Sequence, residues 1–141
     1  MVVGWFPDLC VADVAASRAF YVALVDLAVL VDHRWYVELG VGDRVALALV
    51  QRGHDTLPAQ VGGPPTGLLV SFEVHDVDDV ATRAAALHAP VVWPLTTELG
   101  QRHLMVADPD GTMVDVIQRV ALRASDRRRL AAYRRRADGG G

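Results

Sequence analysis

The sequence predicts an α+β fold: two tandem βαβββ modules that form a curved mixed sheet around a concave cleft. The first observation behind this prediction is a repeat, because the pattern V-x-D-V occurs at Val11–Val14 and again at Val74–Val77, 63 residues later. The second is that each copy follows a short apolar run and precedes an amphipathic stretch with helical spacing. A repeat of about half the folded length indicates internal duplication. An α+β sandwich without duplication is the alternative.

The first module is predicted to occupy residues 1–55. Phe6–Val11 predicts a strand, and Asp13 can cap the N-terminus of a helix that runs to about Leu24. Three β-like runs follow, separated by short turns. They are Ala28–Asp32, Trp35–Leu39 and Arg44–Gln51. The module therefore has the order strand, helix and three strands.

A Gly- and Pro-rich segment, residues 56–66, predicts a linker to a second module over residues 67–118. Leu68–Val74 predicts the first strand of that module, and Asp76 can cap a helix that Pro90 stops. Three further strands complete the second copy of the pattern. They are Val91–Leu95, His103–Ala107 and Thr112–Gln118.

Residues 119–141 form a basic tail with 8 Arg and 2 Asp, a net charge of +6, whereas residues 1–118 carry 6 Arg and 15 acidic residues, a net charge of −9. Ser125 and Asp126 can cap a short helix ahead of a flexible Gly139–Gly141 end. We expect the tail to be a solvated arm or to pack on a partner subunit. A contact with an acidic surface or with nucleic acid is the less favoured alternative.

The composition favours a folded cytoplasmic protein. Hydrophobic residues make up 52% of the chain, enough for a core, yet no run of about 18 uncharged apolar residues predicts a membrane span. The N-terminus lacks a basic segment followed by an apolar core, so no signal peptide is predicted. Cys10 is the single cysteine, which excludes an internal disulfide.

Three segments resemble motifs of the vicinal oxygen chelate superfamily, which includes glyoxalase I, extradiol dioxygenases, fosfomycin-modifying enzymes and bleomycin resistance proteins. Asp13–Tyr21 is similar to its D-x-x-x-S-x-x-F-Y signature, and Phe72–Asp78 is similar to the signature of its second module. Asp108–Gly111, followed by Val114–Val116, is similar to its D-P-D-G-x-x-x-E ending. The resemblance covers residues 5–118 and implies paired βαβββ modules and frequent dimers.

The resemblance also implies where the family's enzymes would bind a divalent metal. Its first-strand positions, usually His, are occupied here by Phe6 and Leu69, and Asp115 stands where a Glu is common. Because phenylalanine and leucine cannot coordinate a metal, we expect no metal and no cofactor. The loop Glu98–His103 resembles one in the metal-free, bleomycin-resistance-like members, which sequester ligands. We therefore expect a member of that branch, and a homodimer.

A ligand site is predicted on the cleft faces of the strands, which follow from the alternation of side chains along each strand. The candidate ligand-binding residues on these faces are Phe6, Asp8, Leu69, Ser71, Glu73, Met113 and Asp115. Four further candidates lie on strands or loops that could form the rim of the cleft, namely Trp35, Trp93, Arg102 and Met105. Apolar walls with carboxylates suit a small aromatic or cationic molecule. Catalytic residues stay unassigned. None of the five histidines is spaced for a ligand pair, so we expect exposed or structural roles for them. They are His33, His54, His75, His88 and His103.

Three functions are consistent with these observations. The favoured one is a metal-free protein that binds or sequesters an antibiotic or an aromatic metabolite. The alternative is a metal-dependent lyase, isomerase or dioxygenase of the same fold, with Asp115 or Glu73 as base or ligand. The third is a regulatory or interaction protein that acts through the Arg-rich tail.

Overall fold

The computed structural model of the protein describes residues 1–138, which form two consecutive βαβββ modules and a C-terminal helix. The elements are β1 (Asp8–Val11), α1 (Val14–Val25), β2 (Ala28–Asp32), β3 (Tyr36–Val41), β4 (Arg44–Gln51), β5 (Leu69–Glu73), α2 (Val77–Ala86), β6 (Val91–Glu98), β7 (Gln101–Ala107), β8 (Met113–Arg119) and α3 (Ala124–Asp138). The predicted α+β fold of paired modules is confirmed. The predicted flexible end, Gly139–Gly141, lies outside the described residues.

Each module forms its own four-stranded mixed sheet. The strand order is β1-β4-β3-β2 in the first sheet and β5-β8-β7-β6 in the second. In each sheet the first strand of the module pairs in parallel with the last strand, and the other pairs are antiparallel. A parallel pair needs a crossover connection, which the helix after the first strand begins.

Both module helices begin at a capping aspartate, as predicted. The Asp13 carboxylate accepts a hydrogen bond from the Ala16 N–H at 3.0 Å. The Asp76 carboxylate accepts from the N–H groups of Asp78 and Asp79. Each cap satisfies N–H groups that the first helical turn leaves without a partner, and so fixes where the helix starts.

One apolar core joins the two modules. Its fully buried side chains include Leu9, Tyr21, Leu24, Leu39, Leu47 and Leu49 of the first module and Val77, Val106, Val114 and Val116 of the second. Tyr21 reaches from α1 towards Phe72 of β5, with ring centroids 6.2 Å apart. Burying one such large side chain stabilises a fold by about 1.5–3 kcal/mol. Because both modules contribute to the same core, each depends on the other for burial.

Polar contacts between the modules centre on the turn that joins β7 to β8. The Tyr21 hydroxyl, inside the core, donates to the Asp108 carboxylate at 2.8 Å. The Asp110 carboxylate accepts from the Ala12 N–H at 3.1 Å and from the Arg52 guanidinium at 2.8 Å. We call these five residues the clasp, because they hold the turn of the second module against the start of α1.

Some element bounds differ from the predicted ones for local reasons. β1 begins at Asp8 and not at Phe6, because Pro7 has no N–H to donate to the ladder. β6 extends to Glu98 although it contains Pro94. It can do so because β6 is an edge strand, where one side of the backbone needs no partner strand.

The β6–β7 hairpin has a two-residue turn with positive φ at both positions, 50° at Leu99 and 78° at Gly100. This backbone twist matches the twist of the flanking strands. A Cβ added to Gly100 would lie 3.0 Å from the Leu122 side chain, so glycine also allows the chain after β8 to pack closely here. The hairpin thereby brings Glu98 near the segment that leads into α3.

The predicted short helix of the tail extends over 15 residues as α3. Near its start, the buried Asp126 carboxylate accepts from the Arg123 N–H at 3.1 Å. No helix within the described part of the chain is long and apolar enough to cross a membrane.

Candidate functional site

The candidate site is the face of the second sheet that is turned away from the core, which we call the open face. Alternation along the strands directs one set of side chains to the core and the other set to this face. Val70, Val114 and Val116 mark the core side and are buried. The open face carries Leu69, Ser71, Glu73, Trp93, His103, Met105, Met113, Asp115 and Ile117.

Four of the predicted ligand-binding residues form one row across the open face. Strand register pairs Asp115 with Ser71 on one side and with Met105 on the other. Met105 in turn pairs with Trp93, whose side chain is 50% exposed on the edge strand. Opposed side chains on neighbouring strands are close, with Cβ atoms about 4.5–5.5 Å apart. The row therefore presents a hydroxyl, a carboxylate, a thioether and an indole side by side.

Asp115 is the polar centre of this row. Its side chain is only 8% exposed, and its Oδ1 atom is buried without a hydrogen-bond partner. Its neighbours along β8 on the same face are the apolar Met113 and Ile117. A buried polar atom without a partner costs about 1–3 kcal/mol, and more when it is charged. This oxygen is therefore suited to accept a hydrogen bond from a bound molecule.

His103 lies beside Asp115 and was not predicted as a site residue. Its Nδ1 atom is 3.5 Å from Asp115 Oδ1, and its Nε2 atom is 3.6 Å from Glu98 Oε1. Neither contact is a hydrogen bond, and Nε2 is buried without a partner. Glu98 also contacts α3, since its Oε2 atom is 3.2 Å from Arg129 Nη1. A line of polar side chains thus leads from the open face to α3.

Arg102 and His103 show how strand alternation separates neighbours. The structure places Arg102, predicted near the ligand, on the helix side of β7, where it donates to Asp78 at 2.7 and 2.8 Å. This hydrogen bond lowers the pKa of Asp78 and raises that of Arg102. His103, one residue later, shares a face with Met105. The alternation along β7 was the signal that could have identified His103.

Leu69, Met113 and Glu73 lie next to the row of Asp115. Leu69 pairs with Met113 across β5 and β8, which extends the apolar part of the open face. Glu73 ends β5, where its carboxylate accepts from Arg119 at 3.1 Å with both side chains exposed. Exposed ion pairs of this kind are worth about 0–1 kcal/mol. Glu73 can therefore exchange this partner for a ligand.

Phe6, Asp8 and Trp35 belong to the first module and lie outside the open face. Phe6 precedes β1 and is partly exposed. Burial, and then the nearby Glu38 charge, raise the pKa of Asp8. Trp35 lies just before β3, where its indole stacks on the His54 imidazole with ring centroids 4.1 Å apart.

The corresponding face of the first sheet is covered by the linker between the modules. The Cys10 thiol lies 3.8 Å from the Val61 carbonyl oxygen, and Ala48 and Val50 are buried on the same face. Burial raises the pKa of the Cys10 thiol, and the Asp8 charge adds to the increase. The two sheets therefore differ, because the chain covers one face and leaves its counterpart open.

A divalent metal does not fit the donor set of this site. Among residues 1–138, no group of three or more His, Cys, Asp or Glu side chains is placed to hold a metal ion. Phe6 and Leu69 offer no donor atom, which leaves Asp115 and His103 as two neighbouring donors. The absence of a metal stays a prediction.

A groove of about 470 Å³ between the modules is a second place where a molecule could bind. It lies between the end of α1 and the start of α2, with Asp26, Asp76 and Asp79 among its lining residues. Asp76 already caps α2, and Asp79 pairs with Arg83 at 2.9 Å. We favour the open face over this groove because buried polar atoms of the open face, His103 Nε2 and Asp115 Oδ1, lack hydrogen-bond partners.

Comparison with known proteins places this geometry in a family. A family model described as Glyoxalase/Bleomycin resistance protein/Dioxygenase superfamily matches residues 3–116. No curated protein matches the sequence.

Several solved structures have the same fold, including the following three. A hypothetical protein, SA1046 from S. aureus, is 22% identical with a TM-score of 0.70, covering 86% of this chain and 95% of its own. TioX from Micromonospora sp. ML1 is 21% identical with a TM-score of 0.68, covering 84% and 100%. Lactoylglutathione lyase from Agrobacterium tumefaciens is 24% identical with a TM-score of 0.62, covering 83% and 94%. At this identity the likeness establishes the fold alone.

Proposed function

Because this chain belongs to the Glyoxalase/Bleomycin resistance protein/Dioxygenase superfamily, we propose that it is a metal-free protein that binds a small aromatic or cationic molecule on the open face. Sequestration of an antibiotic or an aromatic metabolite would use such a site without chemical conversion. We also propose that the protein acts in the cytoplasm.

The observation that carries this proposal is the buried Asp115 oxygen without a hydrogen-bond partner. A ligand with an N–H donor or a positive charge would donate a hydrogen bond to this oxygen. A charge-assisted hydrogen bond in a site partly shielded from water is worth about 1.5–3 kcal/mol. Trp93 and Met105 lie along the same row and offer an indole and a thioether to a planar ring.

The open face and its edge strand expose apolar side chains, and we propose that a second copy of the chain buries them. All five residues Val91–Leu95 of the edge strand β6 are exposed. An apolar edge strand that is left uncovered invites pairing with another chain. A homodimer formed there would place the ligand near the subunit boundary.

The test is calorimetric titration with three planar aromatic molecules of equal size, one cationic, one neutral and one anionic. We expect the cation to bind most tightly, and Asp115→Asn to weaken it by about 1–3 kcal/mol while barely changing the neutral molecule. Asp43→Asn is the matched control, since Asp43 is exposed in the β3–β4 turn. Preferential binding of the anion, or an equal loss in Asp43→Asn, would contradict the proposal.

The alternative function is an enzyme, and the specific observation that favours it is the His103–Asp115 pair. An imidazole held 3.5 Å from a carboxylate on a ligand-binding face can move a proton to or from a substrate. Conversion of the methylglyoxal–glutathione adduct, lost in His103→Gln with ligand binding retained, would favour this function. Binding without conversion in the parent protein would favour sequestration.

A further inference from the structure

The helix α3 is the most basic element of the chain and lies apart from the function proposed above. It carries six arginines, all exposed, which are Arg127, Arg128, Arg129, Arg134, Arg135 and Arg136. Arg129 contacts Glu98 and Tyr133, and Arg127 donates to the Leu122 carbonyl at 2.9 Å. The other four have no ion-pair or hydrogen-bond partner among residues 1–136.

The four free arginines have a defined arrangement around the helix. Arg128 and Arg135 are seven residues apart, two turns, so they form one ridge along α3 about 10 Å long. Each residue advances the helix by about 100°, which places Arg134 on one side of this ridge and Arg136 on the other. The free charges therefore cover a central ridge and both of its flanks.

The opposite side of α3 faces the body of the protein. Leu130 lies there and is partly buried, and Asp126 is buried where it accepts from the Arg123 N–H. Arg129 also reaches the body on this side, where its guanidinium donates to the Glu98 carboxylate at 3.2 Å. Leu130 and Arg129 mark the side of α3 that meets the body, so the Arg128–Arg135 ridge on the opposite side is turned outward.

We propose that α3 is a DNA-binding helix that lies in the major groove of a duplex. The major groove is about 12 Å wide and an α-helix with its side chains is about 10–12 Å across, so the groove admits α3. The Arg128–Arg135 ridge then points to the groove floor. Arg134 and Arg136 point to the phosphates of the two walls, which explains charge on both flanks.

The charge distribution favours this partner over two others. Residues 1–118 carry a net charge of −9, so only the tail is attracted to a polyanion, and contact is confined to α3. A membrane-surface helix needs an apolar face free to enter lipid, whereas the one large aliphatic residue of α3, Leu130, is partly buried. A double-stranded RNA has a deep, narrow major groove that does not admit side chains in this way.

The experiment is fluorescence anisotropy of the full chain with a labelled DNA duplex of about 20 base pairs, two helical turns. An RNA duplex of the same sequence and vesicles with an anionic phosphatidylglycerol surface are the other arms. With four phosphate or base contacts we expect DNA affinity to fall about 100-fold between about 50 and 200 mM salt. Stronger binding to RNA or to vesicles, or no binding to DNA at low salt, would overturn the proposal.

Two double variants, each of which removes two positive charges, test whether α3 is the element that binds DNA. In Arg135→Gln/Arg136→Gln we expect the slope of log affinity against log salt concentration to decrease by about 2, because two contacts with DNA are lost. In Arg34→Gln/Arg44→Gln, which removes two exposed arginines of the body, DNA binding should be unchanged. Equal losses in both variants would mean non-specific charge attraction and overturn the proposal. Dissociation of a dimer in the first variant, with DNA binding retained, would assign α3 to a second copy of the chain and overturn it too.

Discussion

At the scale of single residues, the clasp explains why a tyrosine and an aspartate occur in two separate motifs. Tyr21 ends the first motif and Asp108 begins the last, and the two side chains meet in the core through one hydrogen bond. The other oxygen of Asp108 accepts from the N–H groups of Asp110 and Thr112. The same carboxylate therefore shapes the turn and joins the modules.

Removing the Tyr21 hydroxyl leaves one oxygen of Asp108 buried without a partner. We expect Tyr21→Phe to lower the free energy of unfolding by about 1–3 kcal/mol, measured by urea denaturation. Tyr36→Phe is the matched control, because the Tyr36 hydroxyl donates to Glu38 in a less buried place, and it should cost less. An equal cost in the two variants would mean that the clasp adds no special stability.

The pH dependence of stability follows from the same tyrosine. Burial first, and then the Asp108 charge and hydrogen bond, raise the pKa of Tyr21 above its ordinary value of 10. A raised pKa in the folded state contributes stability that is present below pH 10 and is lost as the pH rises above it. Tyr36, whose pKa rises to about 12 for similar reasons, adds to the same loss. Tyr21→Phe should therefore show a shallower fall in stability above pH 10 than the parent protein does.

At the scale of elements, helix starts depend on one side chain each. We expect Asp76→Ala to cost about 1 kcal/mol of unfolding free energy, because two N–H groups of α2 lose their acceptor. Asp79→Ala removes a carboxylate from the same first turn that only pairs with the partly exposed Arg83, and should cost about 0.5 kcal/mol or less. Equal costs, from chemical denaturation, would show that charge and not capping stabilises the start of α2.

Among the secondary-structure elements, the features that depend on nearby residues were the ones that could be predicted from the sequence. The caps at Asp13 and Asp76 were predictable because each depends on residues within four positions. The row through Asp115 was predictable from the alternation of strands that flank a recognisable turn. The sides of Arg102 and His103 were missed because rim positions were assigned without following that alternation along β7.

Two contacts of Glu98 were beyond prediction for a physical reason. The 3.6 Å approach of Glu98 to His103 follows from a two-residue turn with positive φ at Leu99, which few sequence signals mark at a leucine. The approach of Glu98 to Arg129 depends on where α3 lies. Neither periodicity nor propensity determines these two contacts.

At the scale of the whole molecule, the two modules are alike in topology and unlike in what covers them. The linker covers the outer face of the first sheet at Cys10, whereas the second sheet keeps its open face. The edge strand β6 exposes Val92 and Trp93, while the equivalent edge strand β2 exposes less of Val29. Because of this asymmetry, we place the proposed partner contact on the second module.

We therefore expect a homodimer of twice 15.2 kDa by light scattering at micromolar concentration, formed through β6. Val92→Lys should give a monomer, because a lysine on an edge strand blocks pairing with another chain. Val29→Lys, on the equivalent edge strand of the first sheet, should stay dimeric and controls for the added charge. If both variants remain dimers, β6 is not the interface. If the parent protein is itself a monomer, the open face stays uncovered, and the ligand proposed at Asp115 must bind without help from a second copy.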